Sequence, residues 1–128
     1  SNNIRSLSPS IPVSLSGNGG KYEFMVLLDS GADVSAIPEN LAELLNLNIK
    51  GKPIEDTFGI GGKAQSVSTT MNVEIVKGHE KYSFTIPVKV ILDDYDFPPL
   101  IGRAVFFDKF EITFKQSEKK VTLKYNSK

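Results

Sequence analysis

Cysteine is absent from the 128 residues, and only one histidine, His79, is present. The first absence excludes disulfides, thiolate zinc sites and cysteine nucleophiles, while leaving the redox compartment open, because a cytosolic protein can equally lack Cys. The second excludes a three-histidine metal site within one chain and makes any histidine-dependent catalysis rest on His79. Net charge is missing as well. Fifteen Lys and Arg balance fifteen Asp and Glu, so the chain lacks the one-signed field of nucleic-acid and anionic-membrane binders, and neither partner is expected. No apolar run approaches about 18 residues, and Ser1-Asn2-Asn3 has neither the charged nor the apolar part of a leader. These features read as a soluble chain, expected in the cytoplasm. The start without Met reads as a domain excised or processed from a larger protein. The length suits one domain over 1–128, with 1–6 and 126–128 expected as flexible ends and a core burying roughly two thirds of the unfolded surface.

What the sequence does contain is alternation. Apolar residues recur at every second position in Ile11, Val13 and Leu15, in Met71, Val73 and Ile75, and in Phe84, Ile86, Val88, Val90 and Leu92. The same holds for Phe110, Ile112 and Phe114, and for Val121, Leu123 and Tyr125. Period two marks strands with one buried face. Tyr22 to Leu28 is nearly continuous in apolar residues, which predicts a central strand covered on both faces. Turn residues fall where hairpins need them, at Gly17 to Gly20, Gly59 to Gly62, Lys77 to Glu80 and Gln116 to Lys119. Pro87 has no N–H, so its strand is expected to be an edge or bulged at that point. One helix of useful length is legible, opening near Pro38 with Glu39 in its first turn and Leu41, Leu44 and Leu45 on one face. A single helical turn is predicted over 104–109. Short strands with one helix predict an all-β domain, closed or sandwich-like.

Chemistry concentrates in Asp29-Ser30-Gly31-Ala32-Asp33, directly after the predicted central strand. A carboxylate there is held by a rigid scaffold and still faces outward. Asp, Ser and Gly are also ordinary turn residues, so this stretch alone has a purely structural reading. Two further motifs accompany it: the hairpin tip Gly59-Ile60-Gly61-Gly62, and Pro99-Leu100-Ile101-Gly102-Arg103 ahead of the apolar Ala104 to Phe107. His79 lies in a polar turn and reads as a solvated residue. Asp93, Asp94 and Asp96 cluster, but without the glycine and terminal glutamate of a calcium loop, so they read as a solvated loop. No metal and no cofactor are expected.

In this order and at these intervals, from about Ile11 to about Tyr125, the chain resembles the retroviral-type aspartic proteases, the retropepsins. The resemblance implies an all-β, closed barrel-like fold with one α-helix, a short C-terminal helical turn and a flap hairpin. It implies an aspartic endopeptidase acting on extended peptide or protein as a homodimer with a second copy of the chain. Asp29 matches the single catalytic aspartate of each protomer. Two carboxylates about 3 Å apart cannot both ionise, so such a pair shares one proton. One member takes a proton from the attacking water while the other polarises the scissile carbonyl, with no covalent intermediate and no metal. Ser30 matches the hydroxyl that bonds across the dimer, Gly31 the tight position beside the substrate backbone, and Ala32 a small residue bordering the groove. Asp33 and Arg103 match a structural ion pair, expected to be bidentate and buried, where truncating one partner costs about 3–5 kcal/mol. The hairpin from about Asp56 to Thr69 matches the flap. Gly59, Gly61 and Gly62 would give it mobility, and Ile60 would touch substrate or the partner flap. Ile101 and Gly102 match residues packed behind the catalytic loop, and Val34, Ile37, Phe58 and Leu100 are candidates to line side-chain pockets.

The chain departs from the family after the Gly-Arg motif. Glu111 to Gln116 and Lys120 to Tyr125 read as a complete hairpin, where the viral enzymes have short terminal strands interleaved in the dimer. The dimer then rests on this hairpin, or draws on Ile4 to Leu7, or is weak and concentration dependent. A catalytically silent dimerisation or peptide-binding module of a larger protein shares the same fold and remains an alternative, since fold alone does not prove function. An unrelated β-barrel with chance matches is a third.

Overall fold

A computed structural model of the chain describes residues 9–59, 62–92, 96–118 and 120–126. In chain order come β1 (Ser10–Ser16), β2 (Lys21–Leu28), β3 (Ser35–Pro38), helix α1 (Glu39–Leu45), β4 (Ile54–Gly59) and β5 (Gly62–Lys77). They are followed by β6 (Glu80–Ile91), β7 (Leu100–Ile101), the short helix α2 (Phe106–Lys109), β8 (Phe110–Lys115) and β9 (Lys120–Tyr125). Seven strands form one sheet in the order β1-β2-β7-β3-β6-β5-β4, and β1 pairs a second time, with β5, through residues 14–16 and 72–74. β8 and β9 form a separate two-stranded sheet.

Burial follows the alternation. Ile11, Val13 and Leu15 of β1, Met71, Val73 and Ile75 of β5, and Ile86, Val88 and Val90 of β6 share one core. Burying each such side chain contributes about 1.5–3 kcal/mol. β5 is one 16-residue strand that switches its covered face: Val67, Met71, Val73 and Ile75 are buried on one side, Ala64 and Ser66 on the other. Its first residues pair with β4 as a hairpin, and the strand then continues beside β6 as far as Lys77.

Sequence expectations need correction at β2 and in α1. β2 is not covered on both faces: Tyr22 is 40% and Met25 57% exposed, and only Val26 and Leu28 are buried. Val26 and Leu28 share one pleat face and enter the core, while Met25 points to the opposite face, which is open to solvent there. Leu44 is exposed and Ala42 takes its place, since at 3.6 residues per turn Leu44 lies roughly 110° from the centre of the Leu41, Ala42 and Leu45 face. After β9, Asn126 donates its backbone N–H to the Lys109 carbonyl at 2.8 Å and Nδ2 to the Asp108 carbonyl at 3.0 Å.

At Pro87 no bulge forms. β6 pairs with β5 along its whole length and gains β3 only from Val88, so one side of Pro87 is a local edge. The predicted turn at 104–109 narrows to Phe106–Lys109, because Val105 before it has φ 69°, a strained setting for a β-branched residue that no α-helix accommodates. Phe106 and Phe110 are buried, and Tyr82 of β6 stacks on Tyr125 at 4.3 Å and meets Phe110 edge-on at 5.7 Å. These rings seat the C-terminal hairpin on the main body. No described helix is long and apolar enough to cross a membrane.

Candidate active site

β2 and β7 run parallel, with Leu27 opposite Leu100 and Leu28 opposite Ile101. One further bond extends this ladder: the Asp29 N–H donates to the Ile101 carbonyl at 2.9 Å. The sheet therefore fixes the Asp29 backbone. Its side chain is fixed by the turn that follows, where the Gly31 N–H donates to Oδ1 at 2.9 Å and the Ala32 N–H to the Asp29 carbonyl at 3.2 Å. A Cβ on residue 31 would stand 3.3 Å from Oδ1, a tight approach that would press the carboxylate by a few tenths of an ångström.

The segment after β7 braces the same loop from behind. Arg103 and Ala104 donate backbone N–H groups to the carbonyls of Ala32 and Asp33, at 2.9 and 2.8 Å. Gly102 donates to the buried Ser35 hydroxyl at 3.0 Å. The Arg103 guanidinium grips the outer side: Nη1 donates to the Ser30 carbonyl at 2.8 Å, and Nη2 pairs with Asp33 Oδ1. The ion pair thus forms, but not in the expected bidentate, buried form. One nitrogen reaches Asp33, whose side chain is 85% exposed against 50% for Arg103. The fork is divided because its other arm is committed to Ser30.

Asp29 opens into a groove of about 490 Å³. The loop and β3 contribute Gly31, Ala32, Asp33, Val34, Ser35 and Ala36; the β4–β5 hairpin contributes Thr57, Gly62 and Ala64. Lys89 and Ile91 of β6, with Phe97 and Leu100, complete the lining.

Most of the sequence-derived candidates meet here. Asp29, Gly31, Ala32, Asp33 and Gly62 line the groove, Ile101, Gly102 and Arg103 support it, and Ser30 is exposed on the loop. Gly59 pairs with Gly62 at the end of the hairpin, while Ile60, Gly61 and the Phe58 side chain lie outside the described residues. Of the pocket candidates, Val34 and Leu100 line the groove. Ile37 does not: it is wholly buried in the core, because along β3 it alternates with Ala36, which faces the groove. Sequence reasoning missed Ser35, Ala36, Thr57, Ala64, Lys89, Ile91 and Phe97. For Lys89 and Ile91 the signal was present, since Val88 and Val90 point into the core and their neighbours must point away from it. His79 is exposed in the turn between β5 and β6, Asp96 is exposed, and Asp93 and Asp94 lie outside the described residues.

The fold and this constellation define a retropepsin-like aspartic protease architecture. A family model described as aspartyl protease matches residues 11–104, well over half of the chain, and the chain belongs to that family. Three solved structures are similar. EIAV protease complexed with an inhibitor is 21% identical, with a TM-score of 0.51 over 80% of this chain and 88% of that one. A retropepsin-like aspartic protease from Rickettsia conorii is 20% identical, with a TM-score of 0.54 over 83% of this chain and 76% of that one. The retroviral protease-like domain of Ddi1 from Leishmania major is 14% identical, with a TM-score of 0.53 over 90% of this chain and 88% of that one. No curated protein matches the chain.

Proposed function

We propose that the chain is an aspartic endopeptidase that works as a homodimer, with Asp29 of each protomer forming the catalytic pair. The observation that carries this reading is the setting of Asp29: its backbone continues a sheet ladder to Ile101, its Oδ1 is held by Gly31, and its carboxylate faces a groove. A carboxylate so fixed, with a two-fold related copy beside it, shares one proton with that copy. The ionised member draws a proton from a water between the two, and the protonated member donates to the scissile carbonyl oxygen. Attack of that water on the carbonyl carbon gives a tetrahedral diol, which collapses as its C–N bond breaks and the carboxyl that took the water's proton gives it to the leaving amine nitrogen, without a covalent enzyme intermediate.

In this reading the ring of pairings from β1 through β2, β7, β3, β6 and β5 back to β1 is the closed, barrel-like body of one domain. The β4–β5 hairpin acts as the flap. Ser30, exposed beside Asp29, bonds to the partner's loop, and Arg103 stiffens that loop through Ser30 and Asp33. Peptide lies extended between flap and loop, with Val34 and Leu100 contacting its side chains.

The test is the order of the reaction in protein. With one aspartate per chain, the initial rate of peptide cleavage rises with the square of chain concentration below the dimer dissociation constant and linearly above it. A rate strictly proportional to concentration over the whole range in which sedimentation shows monomers would overturn the shared site.

A further inference from the structure

Among the described residues, Lys89 is the only lysine or arginine lining the groove. It stands on β6 between Val88 and Val90, both buried in the core, so the pleat turns its side chain to the opposite face. There it is half-buried, and its Nζ lies 3.5 Å from the Thr57 hydroxyl of the β4–β5 hairpin. The two carboxylates that line the groove among the described residues are otherwise engaged: Asp33 is paired with Arg103, and Asp29 is held by the Gly31 N–H at the far side of β7 and β3. Glu55, which shares the face of Ser66 and Ser68 on the hairpin, accepts a hydrogen bond from the Ser68 hydroxyl at 3.3 Å. Among the described residues no ion pair reaches Lys89. A half-buried lysine whose one hydrogen bond among the described residues is a long one to a hydroxyl retains donor capacity directed into the groove.

We infer that Lys89, with Thr57, forms a subsite that selects an acidic side chain, Asp or Glu, in the bound peptide. The inference rests on the peptidase reading and adds the substrate class. Ala36 lies opposite both Lys89 and Leu100, and Leu27 lies opposite Leu100 on the other side, so β2, β7, β3 and β6 stand in a row. At about 4.8 Å between strands, Lys89 is roughly 14 Å across the row from the strand that carries Asp29. An extended peptide advances about 3.3 Å per residue, so the recognised side chain lies within about four residues of the cleaved bond. Ala36 and Leu100 beside Lys89 are apolar, so the stem of a Glu side chain packs there while its carboxylate meets the ammonium and the hydroxyl.

The test uses peptides that carry Glu, Gln or Lys at each of the four positions on either side of a common cleaved bond. Within each enzyme, kcat/KM for the Glu peptide is divided by that for the Gln or Lys peptide, so that a general loss of activity cancels. Wild type is expected to prefer Glu over Gln at one position by about fivefold, as befits a partly screened ion pair. Lys89→Met should bring that ratio to one, and Lys89→Glu should make Lys the preferred residue at the same position and no other. Equal ratios in wild type and Lys89→Glu at all positions overturn the inference and leave the peptidase reading intact. The same peptides are titrated against Asp29→Asn and Asp29→Asn combined with Lys89→Glu. If wild type cleaves nothing yet the Glu preference in binding reverses with Lys89, the peptidase reading fails and the subsite stands; if binding shows no reversal, the subsite fails as well.

Discussion

The Gly102 N–H donates to the Ser35 hydroxyl at 3.0 Å, at a point where a Cβ on residue 102 would lie 2.5 Å from the Val34 carbonyl oxygen. Two backbone segments, one leading out of the Asp29 loop and one leading out of β7, touch here with no room for a side chain. Gly102→Ala must push them apart. The expected cost is at least about 1–3 kcal/mol, as for overpacking elsewhere in cores. Ser35→Ala removes the acceptor and leaves a buried N–H unpaired, for about 1–3 kcal/mol. Urea unfolding of both variants measures these losses, and an unchanged midpoint for Gly102→Ala contradicts the close approach.

Arg103 and Asp33 are exposed, so their pair contributes only about 0–1 kcal/mol. Asp33→Asn should therefore shift thermal unfolding little. Arg103→Ala also loses the bond to the Ser30 carbonyl, about 1 kcal/mol more, and should be the more damaging of the two. Thermal melts that rank them the other way would show that Asp33, not Ser30, is the main anchor.

Alternation made the strands legible in the sequence, because a one-sided sheet must repeat every second residue. Elements too short to show a period were not legible. β3 has four residues and β7 two, yet these strands join Asp29 to the rest of the sheet and give Ile37 and Ala36 their opposite fates. The switch of covered face along β5 is hidden for the same reason: Ser66 and Val67 are buried on opposite sides, and a run of small polar residues carries no hydrophobic signal. The chemical motifs were legible through their order and intervals, which carry the family resemblance, whereas each alone reads as an ordinary turn. Lys89 was not, since its meaning depends on which strand stands beside which.

Glu74 on β5 is clamped by Lys21 of β2 at 2.9 Å and Lys81 of β6 at 3.3 Å, and accepts from the Ser83 hydroxyl at 3.4 Å. The Lys21 bond first, opposed by partial burial and aided by Lys81, holds its carboxyl below the ordinary value of 4.5. A carboxyl with a lowered folded pKa adds stability that is complete above the unfolded value and is lost as pH falls through the folded one. Glu74→Gln should thus be less stable than wild type at neutral pH, with the gap shrinking below pH 4.5. Denaturant titrations at several pH values test this, and a gap that widens in acid contradicts it.

His79 lies at the turn end of the β5–β6 hairpin, next to Glu80, which is nine residues along β6 from Lys89, or about 30 Å at the rise of a strand. It is too far away to take part in proton transfer at Asp29. The pH–rate profile should be a bell on the acid side of neutrality, set by the shared proton of the two Asp29 carboxylates. His79→Ala should leave both limbs in place, and movement of either limb would bring the turn into the mechanism.

The most direct test of the central claim is a peptide-library digest by wild type beside Asp29→Asn, with sedimentation and circular dichroism of both. The amide keeps the shape and can still accept from the Gly31 N–H, so the fold and dimer should be unchanged, while cleavage should be lost because the amide cannot hold or release the shared proton. Cleavage by Asp29→Asn at the wild-type rate would show that the chemistry does not reside at Asp29.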